Sequence, residues 1–114
     1  MAWVILTTRY GKDVRQPSEA DLLKAADELY ERVDDTEHPN AWLRYGLDEG
    51  PMFIIDGYLN RTIRFAKYAD QDDDEPLAEY THRGEGRESL LRVWTLLAQG
   101  DIEKIKAEYP SCGW

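Results

Sequence analysis

The chain has a single cysteine, Cys112, among its 114 residues, so it can form no internal disulfide. It has no run of about 18 apolar residues, the length a membrane-spanning helix needs. Its first residues, Met1-Ala2-Trp3-Val4-Ile5-Leu6-Thr7, lack a basic leader and a long apolar stretch, so no signal peptide is expected. These absences together predict a reducing, cytoplasmic setting. Basic residues are also scarce. There are 14 Lys and Arg against 23 Asp and Glu, a formal net charge of −9. That balance disfavours nucleic acid and anionic lipid as partners and admits a basic protein.

Recognisable chemistry is absent too. His38 and His82 are the only histidines, and they lack the spacing of a zinc pair. There is no Gly-x-Ser-x-Gly, phosphate-cradling loop or dinucleotide fingerprint. Gly84-Glu85-Gly86 is an isolated helix-entry loop whose Glu opposes phosphate. A His82–Cys112 nucleophile pair is conceivable, but Cys112 lies close to the end of the sequence, where little is expected to hold it. The expectation is a non-enzymatic protein with no cofactor and no metal.

What the sequence does have is acid in concentrated form. Asp70-Gln71-Asp72-Asp73-Asp74-Glu75 carries five carboxylates in six residues. Mutual repulsion keeps such a segment in solvent. The whole chain is nevertheless 42% hydrophobic, with 4 Trp, 7 Tyr and 2 Phe, enough for one globular domain spanning residues 1–114.

The pattern along the chain predicts β-α-β-β-β-β-α-α. Trp3–Thr8 reads as a strand buried on both faces, and Arg9–Pro17 as a loop. Ser18 should cap a helix running from about Glu19 to Val33, with Leu22, Ala26 and Leu29 inward. Asp34–Pro39 ends it. Leu43, Tyr45 and Leu47 alternate with Trp42, Arg44 and Gly46. Asp48-Glu49-Gly50-Pro51 is a turn, Met52–Ile55 a strand, and Asp56-Gly57 a hairpin signal. Ile63 and Phe65 then alternate with Arg64, and Leu77–Thr81 forms a last short strand. Leu90, Leu91, Val93, Trp94 and Leu97 mark a helix that Gly100 stops. Asp101 should cap a final short helix with Ile102, Ile105 and Tyr109 inward.

Segregated strands and helices imply an α+β fold: an antiparallel β-meander of about five strands with helices packed on one face. Alternate turns of a meander share an end. Asp48 and Glu49 should therefore join Asp70, Asp72, Asp73, Asp74 and Glu75 at one edge, opposite the Asp34–Pro39 loop. This edge is the candidate partner-binding site, with Tyr68, Tyr58 and Trp42 as aromatic anchors. A calcium or magnesium loop is a weaker reading, since EF-hand spacing is lacking. The plainest reading is a solvated loop. Trp3 and Trp94 are expected in the core, while Trp114 could be core or anchor. Arg61, Arg64 and Lys67 form a small basic patch expected to pair with carboxylates across strands.

The chain's size, acidic segments Asp48-Glu49 and Asp70–Glu75, meander with flanking helices and lack of catalytic residues resemble bacterial immunity proteins of polymorphic-toxin and contact-dependent inhibition systems. The resemblance implies a non-enzymatic inhibitor that binds and occludes a basic protein partner, a cognate toxin acting on nucleic acid. Two alternatives stand beside it. One is a small-molecule-binding or enzymatic α+β domain with a pocket lined by Tyr45, Phe65 and Trp94. The other is a phage-encoded mimic of DNA charge.

Overall fold

A computed structural model describes residues 2–31, 34–84 and 86–114. Among the described residues six strands form one open antiparallel sheet, and three helices accompany it. The strands are β1 (Ala2–Thr7), β2 (Asp13–Arg15), β3 (Asn40–Leu47), β4 (Met52–Tyr58), β5 (Thr62–Tyr68) and β6 (Ala78–Arg83), in the spatial order β2-β1-β3-β4-β5-β6. The helices are α1 (Glu19–Glu31), α2 (Arg87–Ala98) and α3 (Ile102–Glu108), followed by a 3₁₀ turn at Pro110–Cys112. The fold is α+β, as the sequence predicts. No described helix is long and apolar enough to cross a membrane.

The helices cover one face of the sheet. Leu22, Ala25, Ala26 and Leu29 of α1 and Leu90, Val93, Trp94 and Leu97 of α2 join Leu6, Leu43, Ile55, Ile63 and Phe65 in one apolar core. Trp94 is fully buried, and its Nε1–H donates to the Ile55 carbonyl at 2.9 Å, so the indole's one polar group is satisfied. Ser18 and Asp21 cap α1 reciprocally: Asp21 N–H donates to Ser18 Oγ at 3.2 Å, and Ser18 N–H to Asp21 Oδ2 at 2.9 Å. Asp101 Oδ1 accepts from Lys104 N–H at 3.3 Å at the start of α3. The expected last turn of α1 at Val33 lies outside the described residues.

Several elements differ from the sequence pattern. Asp13–Arg15, expected in a loop, pairs with β1 through Ile5↔Arg15, Leu6↔Val14 and Thr7↔Asp13. Three residues with one apolar side chain are too short to show a period. The β1 strand is apolar-buried on one face, where Val4 and Leu6 point into the core, while on the other side Trp3 and Ile5 are half-buried and only Thr7 is buried. Asp56-Gly57 is not a turn. It continues β4, and the hairpin lies beyond it, where Arg61 takes φ 65° and its N–H bonds to the Tyr58 carbonyl at 3.1 Å. Gly57 is required by packing, since a Cβ there would stand 2.2 Å from Leu90 Cδ2. Trp114 is core: it packs tilted against Phe53 and edge-on against Phe65, at centroid distances of 4.9 and 5.8 Å. Cys112 is buried in the 3₁₀ turn rather than loosely held.

Arg9 lies in the turn after β1, as the sequence predicts, yet it is almost fully buried. Its guanidinium donates to the carbonyls of Glu28, Leu29, Asp35 and His38 at 2.8–3.1 Å. It thereby ties the C-terminal half of α1 to the segment leading into β3. Late carbonyls of a helix lack intrahelical partners, and a cation suits that end of the dipole.

Candidate functional site

The face of the sheet away from the helices is where the candidate residues meet. Strand alternation and register determine its rows. One row reads Arg15, Ile5, Arg44, Ile54, Ala66, Glu79 from β2 to β6. The next reads Asp13, Thr7, Trp42, Asp56, Arg64, Thr81. At one end Trp3, Gly46, Met52 and Tyr68 lie side by side, and at the other Asn40 pairs with Tyr58. With strands about 4.8 Å apart and residues about 3.3 Å along them, the face is roughly 25 by 20 Å.

Two features shape it. At its Trp3 corner the indole lies over Gly46, where a Cβ would stand 2.2 Å from Trp3 Cζ2. A glycine across from an aromatic lets the ring lie flat on the neighbouring strand. Toward the β6 edge Arg64 organises a polar network. It donates through Nη1 to Asp56 Oδ2 and through Nε to Glu79 Oε1, both at 3.0 Å, and through Nη2 to Tyr68 Oη at 3.4 Å. Asn40 Nδ2 completes it with a 3.4 Å bond to Asp56 Oδ1.

The two carboxylates on Arg64 are driven in opposite directions. Burial is the largest influence on Asp56 and raises its pKa despite the pull of Arg64 and Asn40. Glu79 is exposed, and its hydrogen bond to Arg64 holds it below the usual carboxylate range. Partial burial opposes charge on Arg64, but its bonds to Glu79, Tyr68 and Asp56 outweigh that and keep it protonated. Burial, then the Asp56 charge, pushes the Tyr58 phenol up.

The sequence-derived site residues fall into two groups. Asp48, Glu49, Asp70, Asp72, Asp73, Asp74 and Glu75 are all exposed. They lie at the same end of the sheet, because Gly46↔Met52 and Met52↔Tyr68 place both connections there. The Asp34–Pro39 loop lies at the other end, where Leu59 N–H bonds to the Pro39 carbonyl at 2.9 Å. Trp42, Tyr58 and Tyr68 are half-buried and share the helix-free face. Only Tyr68 is at the acidic end; Trp42 and Tyr58 lie toward the opposite one.

The acidic loop has a structure of its own. Asp70 Oδ1 accepts from Asp72 N–H at 2.9 Å, and Asp73 Oδ1 from Glu75 N–H at 3.2 Å. These are Asx turns, which fold a polar segment without a core. Gln71 and Asp72 reach the helix-free face, lining a depression of about 350 Å³ with Trp3, Ile5, Arg15, Arg44 and Met52. The loop therefore borders the aromatic surface instead of only capping the sheet's end.

Other expectations dissolve. Arg61, Arg64 and Lys67 form no common patch: Arg61 is in the hairpin turn, Arg64 on the helix-free face, and Lys67 on the other with its Nζ 5.7 Å from the Phe53 ring centre. The supposed pocket at Tyr45, Phe65 and Trp94 is packed core. Phe65 and Trp94 are fully buried, and Phe65 stacks on Tyr109 at 4.7 Å. His38 bonds through Nδ1 to Asp35 Oδ2 at 3.1 Å, and His82 Nδ1 lies 3.1 Å from Tyr80 Oη. Among the described residues no group of three or more His, Cys, Asp or Glu is placed to hold a metal ion.

Sequence reasoning missed Trp3, Ile5 and Ile54 as surface residues. The available signal was in β3, where Trp42 and Arg44 alternate with Leu43 and Tyr45. Extending that parity across the register puts Trp3 opposite Gly46. No protein family, curated protein or solved structure matches this chain.

Proposed function

We propose that the protein is a non-enzymatic binding module whose helix-free sheet face docks a basic protein partner. The observation carrying this reading is the coincidence of Trp3, Trp42, Tyr58 and Tyr68 on one uncovered face with seven exposed carboxylates along its border. Half-buried Trp and Tyr are favoured anchors because they desolvate large areas at little entropic cost. The carboxylates supply steering and selectivity. A face of roughly 25 by 20 Å, about 500 Å² in projection, supplies most of the roughly 800 Å² per partner of a standard interface, and the acidic border supplies the rest.

The partner class follows from charge complementarity. A chain of net charge −9 attracts a protein with a basic cleft, and nucleases and other nucleic-acid-acting toxins carry such clefts. The resemblance to immunity proteins supports the same reading. In it the protein covers the toxin's cleft and acts in the cytoplasm, by occlusion and without chemistry of its own.

The experiment is capture of the partner from the native host, followed by growth rescue. Co-expression of the captured protein should arrest growth, and this chain should relieve the arrest. Trp42→Ala should weaken the purified complex by about 2 kcal/mol or more, as a central aromatic anchor does. A partner that is acidic, or is bound equally well by Trp42→Ala and Tyr58→Ala, would refute the reading.

A further inference from the structure

The two edges of the sheet are built differently. On one side β2 is three residues long and runs into Gln16, at φ 50°, and then Pro17. A short strand ending in a left-handed residue and a proline offers little to pair with. On the other side β6 has six residues, contains no proline and pairs only with β5 among the described residues. The hydrogen bonds flanking it set its phase. Gly84 N–H donates to the Arg61 carbonyl at 3.1 Å, and Leu77 N–H to the Lys67 carbonyl at 2.7 Å. With Ile63↔His82 and Phe65↔Tyr80 in register, the even-numbered residues of β6 exchange backbone bonds with β5. The N–H and C=O groups of Glu79, Thr81 and Arg83 therefore point away from the sheet.

We propose that β6 is a homodimerisation edge, pairing antiparallel with β6 of a second copy about a two-fold axis at Thr81. This edge is self-complementary. An antiparallel pair related by an axis perpendicular to the sheet must match residues of the same face, and the outward groups must face each other. Centring on Thr81 satisfies both conditions. Glu79 then lies opposite the partner's Arg83, and Arg83 opposite the partner's Glu79, with Thr81 against Thr81. All three positions are backbone hydrogen-bonding pairs. Opposite charges directly across two strands stabilise the pair, whereas the same edge repels strands lacking that pattern. Glu79 already holds Arg64, which holds Asp56, so the ionic network continues across the axis.

The other face of β6 fits as well. Tyr80 lies opposite the partner's His82, repeating a contact already made within the chain, where the two rings are 6.0 Å apart. Beside them runs an open groove of about 360 Å³, closed on its far side by Glu108, Tyr109, Pro110 and Ser111. It offers room for the incoming rings. The axis keeps all helices on one side and joins the two helix-free faces into one twelve-stranded surface.

Sedimentation velocity of the full chain across a concentration series tests it. The wild type should show a concentration-dependent monomer–dimer equilibrium. Arg83→Glu places like charges across both ends of the pairing and should abolish the dimer, while Arg83→Lys should retain it. Arg83 is exposed, so both variants should keep the wild-type circular dichroism. Hydrogen-bonded residues across an antiparallel ladder have Cα atoms about 5.5 Å apart, within disulfide reach. Thr81→Cys should therefore form a covalent dimer under mild oxidation much faster than Lys12→Cys, which is remote from this edge. A monomer at every concentration, with Thr81→Cys cross-linking no faster than Lys12→Cys, overturns the proposal. So does a dimer that survives Arg83→Glu.

Discussion

Gly57 lies directly beneath Leu90. The space a side chain would need at position 57 is filled by the Leu90 methyl groups, and Leu90 is itself fully buried. Contact between β4 and α2 depends on this absence. Gly57→Ala should destabilise the fold by about 1–3 kcal/mol, the usual cost of overpacking a core, as measured by chemical denaturation. Leu90→Ala alone leaves a cavity, but combined with Gly57→Ala it should recover part of the loss. Such non-additivity is expected of two residues in contact.

Asp56 and Glu79 share Arg64 yet should give opposite pH slopes. The folded-state pKa of Asp56 is raised above the ordinary 3.8. Its favourable contribution is then complete below that value and is lost as pH rises through the folded pKa. Glu79 is lowered from 4.5, so its contribution is present above that value and lost as pH falls through the folded pKa. The stability of wild type relative to Asp56→Asn should therefore grow on acidification from neutral pH. Relative to Glu79→Gln it should shrink. Urea denaturation at several pH values reads both.

Arg9 binds four backbone carbonyls from a buried position. Arg9→Met keeps much of the packing volume and removes every donor. It should cost about 2–4 kcal/mol, because acceptors lose charge-assisted bonds in a place water reaches poorly. Amide hydrogen exchange should show the loosening at the C-terminal half of α1 and in the segment before β3. Uniform loosening would mean that Arg9 acts on the core as a whole.

The acidic loop is the place to separate binding from stability. Changing Asp72, Asp73 and Asp74 together to Asn removes three exposed charges and retains the Asp73 side-chain oxygen that accepts from Glu75. The melting temperature should move little. If the loop steers a basic protein, stopped-flow association should slow and its salt dependence should flatten, since exposed charges more than about 10 Å apart are screened at 0.1 M ionic strength. An unchanged rate and slope would mean a purely solvated connection.

Much of this architecture was legible from local pattern. Alternation at Leu43, Tyr45, Ile63 and Phe65, the helical spacing of Leu22, Ala26 and Leu29, and the caps at Ser18 and Asp101 each report a period or bond spanning a few residues. That the two acidic segments share an end also followed, because antiparallel connectivity alone dictates it. The sequence could not tell a glycine needed by a turn from one needed by a neighbour. Gly57 resembled a hairpin signal because Leu90, its reason for being small, is 33 residues away in the chain. The loop position of Arg9 was legible but its burial was not, because its four acceptors come from later segments. Above all, the aromatic face has no sequence signature. Trp3, Trp42, Tyr58 and Tyr68 belong to four strands, and only the cross-strand register brings them onto one surface. Local periods determined which side chains could share a face, and the long-range pairing of strands decided which of them do.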